Sequence, residues 1–344
     1  MYPVVRGLLF RLEPERAHGL TLSLLRLVGR LPPLAAAVRL WFAVEDKPVW
    51  AFGLAFKNPV GLAAGYDKDG RAWRGLACLG FSHIEVGTVT PRPQRGNPRP
   101  RLARLPQEKA LVNRLGFPSQ GAEYLRRQMQ GKRPAGIRLG INLGKNKDTP
   151  LEAAAQDYLE LLELCTPLAD YLVVNVSSPN TIGLRRLQAR QALEGLLAQL
   201  AQRRRDLAER SKGRPPLLVK LAPDLSDAEL DDALQVVLAT GMDGVIATNT
   251  TVSRETVGPR ALDHAAWAVY AGGLSGQPLR RLSTEMVAKI YARTGGKLPI
   301  IGVGGVMGAQ DAREKLDAGA TLVQVYTGLV YRGPGLVKEI LRSL

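Results

Sequence analysis

Short apolar segments alternate with amphipathic stretches along most of this chain. The apolar segments are rich in Val, Ile and Leu, which is typical of strands buried on both faces. Eight such strands are predicted, over residues 60–64, 83–86, 137–141, 171–174, 217–219, 244–247, 300–303 and 321–325. Helical periodicity predicts helices between them, for example over Pro150–Leu164, Ala192–Glu209, Ser226–Ala239 and Ala309–Ala318.

Eight strands that alternate with helices favour an α/β fold of the (β/α)8 TIM barrel type, with a doubly wound sheet as the alternative. Nearly every predicted strand leads into a polar residue, such as Asn142, Asn175, Lys220 or Asn249. Packing does not require amides and ammonium groups there, and only a barrel brings eight strand ends to one mouth. We therefore predict a barrel over residues 46–344, preceded by an N-terminal helical extension over residues 1–45.

The segment Tyr171–Asn180 carries the densest polar signal. Its strand ends in Asn175, Ser177, Ser178 and Asn180, and a buried amide is costly unless it is hydrogen-bonded. A polar strand end that simply turns through Pro179 is the alternative. At a barrel mouth, the same residues indicate a site of neutral donors and acceptors.

A glycine-rich turn follows the seventh predicted strand. Gly302-Val-Gly-Gly305 precedes a helix that begins near Ala309, and Tyr326-Thr327-Gly328 follows the eighth strand. Taken alone, such a turn is more often structural. The loops after the last two barrel strands commonly bind phosphate through backbone N–H groups, so we predict a phosphate site here.

Composition excludes several classes of protein. The cysteines Cys78 and Cys165 and the scattered histidines His18, His83 and His264 lack metal-ligand spacing, so we expect no metal and a reduced, cytoplasmic environment. The net charge is +16, with 34 Arg and 13 Lys, which favours anionic partners. Uninterrupted apolar runs stay below the ~18 residues that a membrane span needs.

The remaining chemistry consists of the lysines Lys68 and Lys220, several asparagines and hydroxyl groups. Amides suit the edges of a planar polar ring, and fixed positive charge suits a position where negative charge develops. A phosphate site together with a conjugated ring suggests FMN.

Nine motifs in order resemble dihydroorotate dehydrogenase, from about residue 2 to the C-terminus. They are Asn-Pro-Val-Gly-Leu-Ala-Ala-Gly-Tyr-Asp-Lys-Asp-Gly (58–70), Glu-Val-Gly-Thr-Val-Thr-Pro-Arg-Pro-Gln (85–94), Asn-Arg-Leu-Gly-Phe (113–117), Asn-Leu-Gly-Lys-Asn (142–146), Asn-Val-Ser-Ser-Pro-Asn-Thr (175–181), Val-Lys-Leu-Ala-Pro-Asp (219–224), Ala-Thr-Asn-Thr (247–250), Gly-Gly-Leu-Ser-Gly (272–276) and Ile-Gly-Val-Gly-Gly (301–305). Ser178 and the extension containing residues 10–18 resemble the membrane-associated, quinone-dependent class 2, because class 1 enzymes carry Cys at the position of Ser178.

The resemblance implies oxidation of (S)-dihydroorotate to orotate in pyrimidine (UMP) biosynthesis, with one FMN per chain and a membrane quinone as final acceptor. It makes Ser178 the base that takes the C5 proton. It implies substrate contacts from Lys68, Asn113, Arg114, Leu115, Gly116, Phe117, Asn175, Asn180, Asn249 and Thr250. It implies FMN contacts from Ala64, Gly65, Tyr66, Asp67, Lys68, Thr88, Asn142, Asn175, Lys220, Thr248, Gly276, Gly305, Tyr326 and Thr327.

The N-terminal segment shows apolar residues at helical spacing with arginines between them. Pro14 and Pro32-Pro33 delimit two predicted helices, which resemble an interfacial membrane anchor. A helical cap on the barrel is the alternative, and both roles are compatible. The family resemblance makes this pair a quinone tunnel with His18 and Arg104 near the quinone head. We expect a peripheral protein on the cytoplasmic face of the inner membrane, bound to anionic lipid, monomeric and without nucleic acid.

Two residues depart from the family pattern. Pro118 stands where relatives usually have Asn, and Ile182 stands where Pro is expected; the departure at Ile182 concerns the active-site lid more than the chemistry. Residues 258–271, with Trp267 and Tyr270, match no motif. The alternatives are a soluble class 1 enzyme that uses fumarate or NAD, an FMN-dependent RNA-dihydrouridine synthase, for which the expected catalytic Cys is missing at every strand end, and a non-enzymatic binding protein.

Overall fold

The computed structural model describes residues 2–210, 214–255, 257 and 272–344. Residues 258–271, which match no motif in the sequence, therefore lie outside the described part. The strands are β1 (Val49–Ala51), β2 (Leu54–Phe56), β3 (Val60–Leu62), β4 (His83–Val89), β5 (Leu102–Leu105), β6 (Ala110–Asn113), β7 (Arg138–Leu143), β8 (Tyr171–Asn175), β9 (Leu217–Leu221), β10 (Gly244–Ala247), β11 (Gly273–Gly276), β12 (Ile300–Val303) and β13 (Leu322–Val325).

Eight of these strands close into a barrel in the order β3-β4-β7-β8-β9-β10-β12-β13, and β13 pairs with β3. Every pairing in the barrel is parallel. The predicted (β/α)8 barrel is confirmed, and each predicted strand corresponds to one barrel strand. The strands read as continuous apolar runs because helices cover the outside and side chains fill the inside.

Helices cover the barrel from outside. They span Trp73–Leu76, Ala122–Met129, Ala154–Cys165, Arg190–Arg210, Asp227–Ala239, Arg280–Arg293, Ala309–Asp317, Thr327–Arg332 and Leu336–Ser343. Ser226 caps the helix that follows it with a complete capping box, in which its side chain accepts from Glu229 N and Glu229 accepts from Ser226 N. The four predicted helices are present, with boundaries shifted by a few residues.

Two small antiparallel sheets were not predicted. The β1–β2 hairpin places Phe52 and Phe56 against the barrel interior, in one apolar cluster with Tyr171, Leu218 and Ile246. The other sheet pairs β6 with both β5 and β11. It sets Asn113, at the end of β6, opposite Leu102 and Gly273.

The N-terminal extension contains three helices: α1 (Tyr2–Phe10), α2 (Pro14–Arg30) and α3 (Pro32–Trp41). The third is an addition to the predicted pair, and it begins at the prolines expected to end the second. Glu13 caps α2 by accepting from Glu15 N and Arg16 N. Close packing joins α2 to the barrel, because a Cβ on Gly75 would lie 1.9 Å from Leu25 O.

Outward-facing positions of these helices are apolar. Val4, Leu8, Leu24, Leu40 and Trp41 are each more than half exposed. Among the described helices, none is by itself long and apolar enough to cross a bilayer; α2 and α3, bent by 108° at their junction, meet the requirement only as a pair, by length and composition.

Candidate active site

One cavity opens at the carboxyl ends of the barrel strands, and we call it the mouth cavity. It gathers nineteen of the predicted site residues: Ala64, Gly65, Lys68, Thr88, Asn113, Leu115, Gly116, Phe117, Asn175, Ser178, Asn180, Lys220, Thr248, Asn249, Thr250, Gly276, Gly305, Tyr326 and Thr327. These residues come from widely separated motifs. The barrel and the β5–β6–β11 sheet bring them together.

Four of the residues predicted to bind the substrate or FMN lie outside the mouth cavity. Asn142 is fully buried beneath it. Tyr66 and Asp67 line a second cavity nearby, between the N-terminal helices and the barrel, and Arg114 lines neither of the two cavities. The Asp67 carboxylate accepts the backbone N–H groups of Arg71 and Ala72 at 2.8 and 2.7 Å, and burial raises its pKa to about 6. Asp67 therefore supports the loop after β3.

A chain of hydrogen bonds links the amides at the base of the cavity. Asn175 Nδ2 donates to Asn142 Oδ1 and to Thr88 Oγ1, each at 2.9 Å. Asn249 Nδ2 donates to Asn175 Oδ1 at 3.3 Å and to Ser177 Oγ at 3.0 Å. The amides are thus held by one another, which removes the cost of burying them and fixes their positions.

A second amide pair faces the cavity from the other side. Asn180 Nδ2 donates to Asn113 Oδ1 at 2.8 Å, and Asn113 Nδ2 donates to Gly273 O at 3.3 Å. The Asn180 Oδ1 atom is buried and has no hydrogen-bond partner among the described residues. A buried acceptor without a partner is costly, and a bound ring with an N–H group would satisfy it.

Lys220 and Glu85 form a buried ion pair at the floor of the site. Their Nζ and Oε1 atoms lie 3.8 Å apart, and the two side chains are 6% and 0% exposed. Lys220 is paired with Asn175 between β8 and β9, so it lies level with the amides. Glu85 was missed as a site residue. The sequence signal that could have identified Glu85 is a charged residue inside the apolar segment 83–86, because a buried charge needs a partner of opposite charge.

Lys68 reaches the mouth cavity from the loop after β3. Its Nζ donates to Gly65 O at 2.6 Å. Burial lowers the pKa of Lys68 to about 8, although nearby Asp69 and Glu15 oppose that shift. A lysine in this state carries its charge at neutral pH and is poorly solvated, so it favours an anionic ligand.

Ser178 lies in the loop after β8 and is 5% exposed. Its Oγ accepts the backbone N–H of Asn180 at 3.3 Å, which orients the hydroxyl within the cavity lining. Ile182, four residues further on, is 84% exposed, and Pro118 lines the neighbouring cavity. Their predicted effect on a lid stays a prediction.

Glycines at the end of β11 and directly after β12 line the mouth cavity with backbone. Gly276, Gly304 and Gly305 have φ of +95°, +118° and +71°, a region that favours glycine. A Cβ on Gly305 would lie 2.3 Å from Arg280 Cα. Together with Thr327, the amide chain and Lys220, these residues fit a flavin mononucleotide, whose phosphate the glycine backbone would hold and whose ring edges the amides would hold.

A second cavity of about 720 Å³ lies between the N-terminal helices and the barrel, and we call it the helix cavity. Both predicted tunnel residues, His18 and Arg104, line it. Burial and nearby Lys68 lower the pKa of His18 to about 4, so this imidazole is neutral at physiological pH. The Arg104 guanidinium lies 4.6 Å from the centre of the Phe10 ring and donates to Leu12 O at 2.9 Å.

The helix cavity and the mouth cavity share three lining residues: Lys68, Leu115 and Tyr326. Two ligands could therefore approach a common centre from different sides. The mouth cavity is lined mainly by amides and glycines. The helix cavity is lined by apolar helix residues such as Leu9 and Leu22, by His18 and Arg104, and by further charged residues that include Glu15, Asp69 and Arg101.

Comparison with known proteins gives this geometry a family. The family profile described as dihydroorotate dehydrogenase matches residues 48–344. The chain belongs to this family. The resemblance predicted from nine motifs is confirmed, and the dihydroorotate dehydrogenases are oxidoreductases.

Curated relatives match over nearly the whole chain. "Dihydroorotate dehydrogenase (quinone)" of Anaeromyxobacter dehalogenans strain 2CP-C is 54% identical over 99% of this chain and 91% of its own length. The protein of the same name from Azotobacter vinelandii is 52% identical over 100% of this chain and 96% of its own. These matches include the N-terminal helices, which lie outside the family profile.

A solved structure shows the same architecture. The dihydroorotate dehydrogenase of Eimeria tenella in complex with ferulenol superposes with a TM-score of 0.84 at 38% identity, over 96% of this chain and 90% of that one. The ligand-free form of the Eimeria protein superposes with a TM-score of 0.81.

Proposed function

We propose that this protein oxidises (S)-dihydroorotate to orotate, with one bound FMN as hydride acceptor and a membrane quinone as final electron acceptor, as a step of pyrimidine biosynthesis. The single observation that carries the proposal is the meeting of the mouth cavity and the helix cavity at Lys68, Leu115 and Tyr326. A flavin at that junction would be reached by a polar substrate from one side and by an apolar acceptor from the other.

The residues of the mouth cavity suit dihydroorotate in charge and in hydrogen bonding. Lys68 supplies a positive charge for the carboxylate. Asn180 Oδ1, which lacks a partner among the described residues, is an acceptor for a ring N–H group. Asn113 and Asn249 hold the remaining edges, since both line the cavity with amide groups already oriented by neighbours.

Ser178 is the proposed base. When bound, FMN supplies a two-electron acceptor for the hydride that leaves the substrate. Ser178 Oγ takes the proton from C5 while its own hydroxyl proton passes to solvent, and the Asn180 N–H that donates to Oγ stabilises the partial negative charge on this oxygen as the hydroxyl proton leaves. Lys220 places a positive charge at the floor of the site, where it would stabilise the negative charge that a bound flavin gains on reduction.

The helix cavity supports a quinone as the acceptor. Its neutral His18 and its Arg104 offer hydrogen bonds to carbonyl oxygens at one end, while α1 and α2 line it with apolar groups such as Leu9 and Leu22. A long-tailed quinone stays in the bilayer, because burying each CH₂ group in apolar surroundings is worth about 0.8 kcal/mol. We therefore propose that α1–α3 rest on the cytoplasmic face of the membrane as a peripheral anchor.

Spectroscopy of the purified protein tests this function. The protein should carry flavin absorbance bands, dihydroorotate should bleach them without oxygen, and a quinone added afterwards should restore them. Bands that fumarate or NAD restores and quinone does not would instead support the class 1 alternative. Protein that expresses folded without flavin bands, and gains none with added FMN, would contradict the proposal.

A further inference from the structure

Glu85 is a fully buried carboxylate, and both of its oxygens accept hydrogen bonds. Oε1 accepts from Asn142 Nδ2 at 2.7 Å, and Oε2 accepts from Gln324 Nε2 at 2.8 Å. Lys220 supplies the opposite charge at 3.8 Å. An ionised carboxylate only accepts hydrogen bonds, so both amides must turn their NH₂ groups toward it.

The orientation of Asn142 passes to the next amide. With its NH₂ group on Glu85, Asn142 presents Oδ1 toward the mouth cavity, where it accepts from Asn175 Nδ2 and from Thr88 Oγ1. Asn175 therefore turns its own oxygen outward. Reversing Asn142 would set its NH₂ group against the NH₂ group of Asn175, with no acceptor between them.

The same order of donors and acceptors continues from Asn175 to the residues on the substrate side of the site. Asn175 Oδ1 accepts from Asn249 Nδ2 at 3.3 Å and from Ser177 Oγ at 3.1 Å. Asn249 then presents its oxygen to Thr250 N at 2.8 Å. Each side chain in the series accepts a hydrogen bond from the residue that is further from Glu85. The donors and acceptors therefore keep one order from the carboxylate to the residues that line the cavity.

We propose that Glu85 is a positioning residue that sets the donor and acceptor pattern of the site, through Asn142, Asn175 and Asn249. This inference rests on the proposed function for the identity of the ligands. It concerns amide orientation, and Glu85 itself lines neither cavity.

Gln324 forms a second, shorter branch of the same arrangement. Its Nε2 is held by Glu85, which leaves Oε1 buried and without a hydrogen-bond partner among the described residues. Gln324 lines the mouth cavity. Glu85 therefore leaves this residue as an acceptor for a bound ligand.

The test compares Glu85→Gln with Glu85→Asp in the full-length holoprotein. E85Q keeps the size of the side chain but replaces one acceptor oxygen with an NH₂ donor, so position 85 no longer dictates the orientation of Asn142 and Gln324. E85D shortens the side chain but keeps an acceptor-only group. The measurements are the dissociation constant of orotate, from the shift of the flavin spectrum per bound FMN, and the thermal midpoint of unfolding.

We expect E85Q to weaken orotate binding by between about fivefold and about a hundredfold, the range that follows from leaving one buried polar group unpaired. E85D should bind orotate more tightly than E85Q even where its thermal midpoint is equally low. Tyr171→Phe is the matched control, because it removes a hydroxyl that Gln324 Nε2 contacts at 3.5 Å and leaves the amide series intact. It should lower stability without changing orotate affinity.

Equal orotate affinity in E85Q and in the wild type would overturn the inference, as would losses of affinity that follow the thermal midpoints alone. If E85Q does not fold, the exchange variant E85Q/N142D decides the matter. The carboxylate introduced in place of Asn142 would again accept from Asn175 and Thr88, so orotate binding should persist, and a folded variant that does not bind it would contradict the proposal. Failure of the wild-type protein to bind FMN or orotate would instead refute the proposed function.

Discussion

Glu15 of helix α2 and Arg101, which directly precedes β5, form an ion pair in which Arg101 Nε lies 2.9 Å from Glu15 Oε1. Their side chains are 14% and 9% exposed. Arg101 also donates through Nη1 to the backbone oxygens of Arg95 and Asn97. The N-terminal helices are thereby connected to a loop that supports the substrate residues.

Asn97 extends this connection into the site. Its Nδ2 donates to Arg114 O at 2.8 Å and to Asn180 O at 3.2 Å. Glu15→Gln should therefore lower stability by about 1.5–3 kcal/mol, as expected for hydrogen bonds to a charged group, and raise the KM for dihydroorotate a few-fold. Thermal unfolding and initial rates with a saturating soluble acceptor measure the two effects.

Glu123→Gln serves as the control for that variant. Glu123 pairs with Arg126 one helical turn away on an exposed surface, where ion pairs contribute little. It should leave both stability and KM unchanged. An E15Q variant that behaves like E123Q would show that the N-terminal helices do not support the substrate loop.

Ser178→Ala should leave FMN bound and slow flavin reduction by several orders of magnitude, because the proton at C5 loses its acceptor. Ser178→Cys should restore part of the rate, since a thiolate accepts a proton at this position. Stopped-flow absorbance without oxygen measures the rate, and the flavin content of purified S178A verifies that the site is intact. Near wild-type reduction by S178A would assign the base elsewhere.

The charge of Lys68 predicts a pH dependence of substrate capture. In the proposed function the protonated form binds the substrate carboxylate, and the pKa of Lys68, about 8, is lowered from 10.5 chiefly by burial. The value of kcat/KM should therefore be constant below pH 8 and fall as the pH rises through about 8, up to tenfold per unit beyond it. Lys68→Arg keeps its charge throughout this range, so its profile should lose that decline.

A profile of the wild-type protein without a decline between pH 7 and pH 10 would contradict this role. The comparison uses the slope of each profile, because K68R is expected to be less active at every pH. Arg and Lys present their donors differently, so the substitution is conservative in charge alone.

Membrane binding should depend on the outward apolar positions of α1 and α2. Leu8 and Leu24 are 60% and 55% exposed, so Leu8→Glu/Leu24→Glu should reduce binding to anionic vesicles with little effect on folding. Turnover with a long-tailed quinone should fall, while reduction of FMN by dihydroorotate should not change. Vesicle co-sedimentation and separate assays of the two half-reactions measure this.

Leu238→Glu is the matched control, because Leu238 is 50% exposed on the helix Asp227–Ala239, away from the N-terminal extension. It should bind vesicles as the wild type does. Equal vesicle binding by the double variant and the wild type would leave α1–α3 with the role of a cap that packs on the barrel.

The sequence alone determined the barrel and most of the residues around its mouth. Eight apolar segments with helices between them allow few arrangements, and parallel strands bring their carboxyl ends to one mouth. Asn175, Lys220 and Asn249 could be predicted as cavity residues because each lies within two residues of the carboxyl end of a strand. The local sequence pattern is sufficient to predict a site residue when its place near a strand end also fixes its place at the barrel mouth.

Tertiary structure alone decided which polar groups meet and how the space is divided. Gln324 donates to Glu85 across 239 residues of sequence, and Asn97 contacts Asn180 across 83. The β5–β6–β11 sheet, the third N-terminal helix and the separation into two cavities depend on such distant pairings. These features follow from strand register and from packing between elements, which no local period encodes.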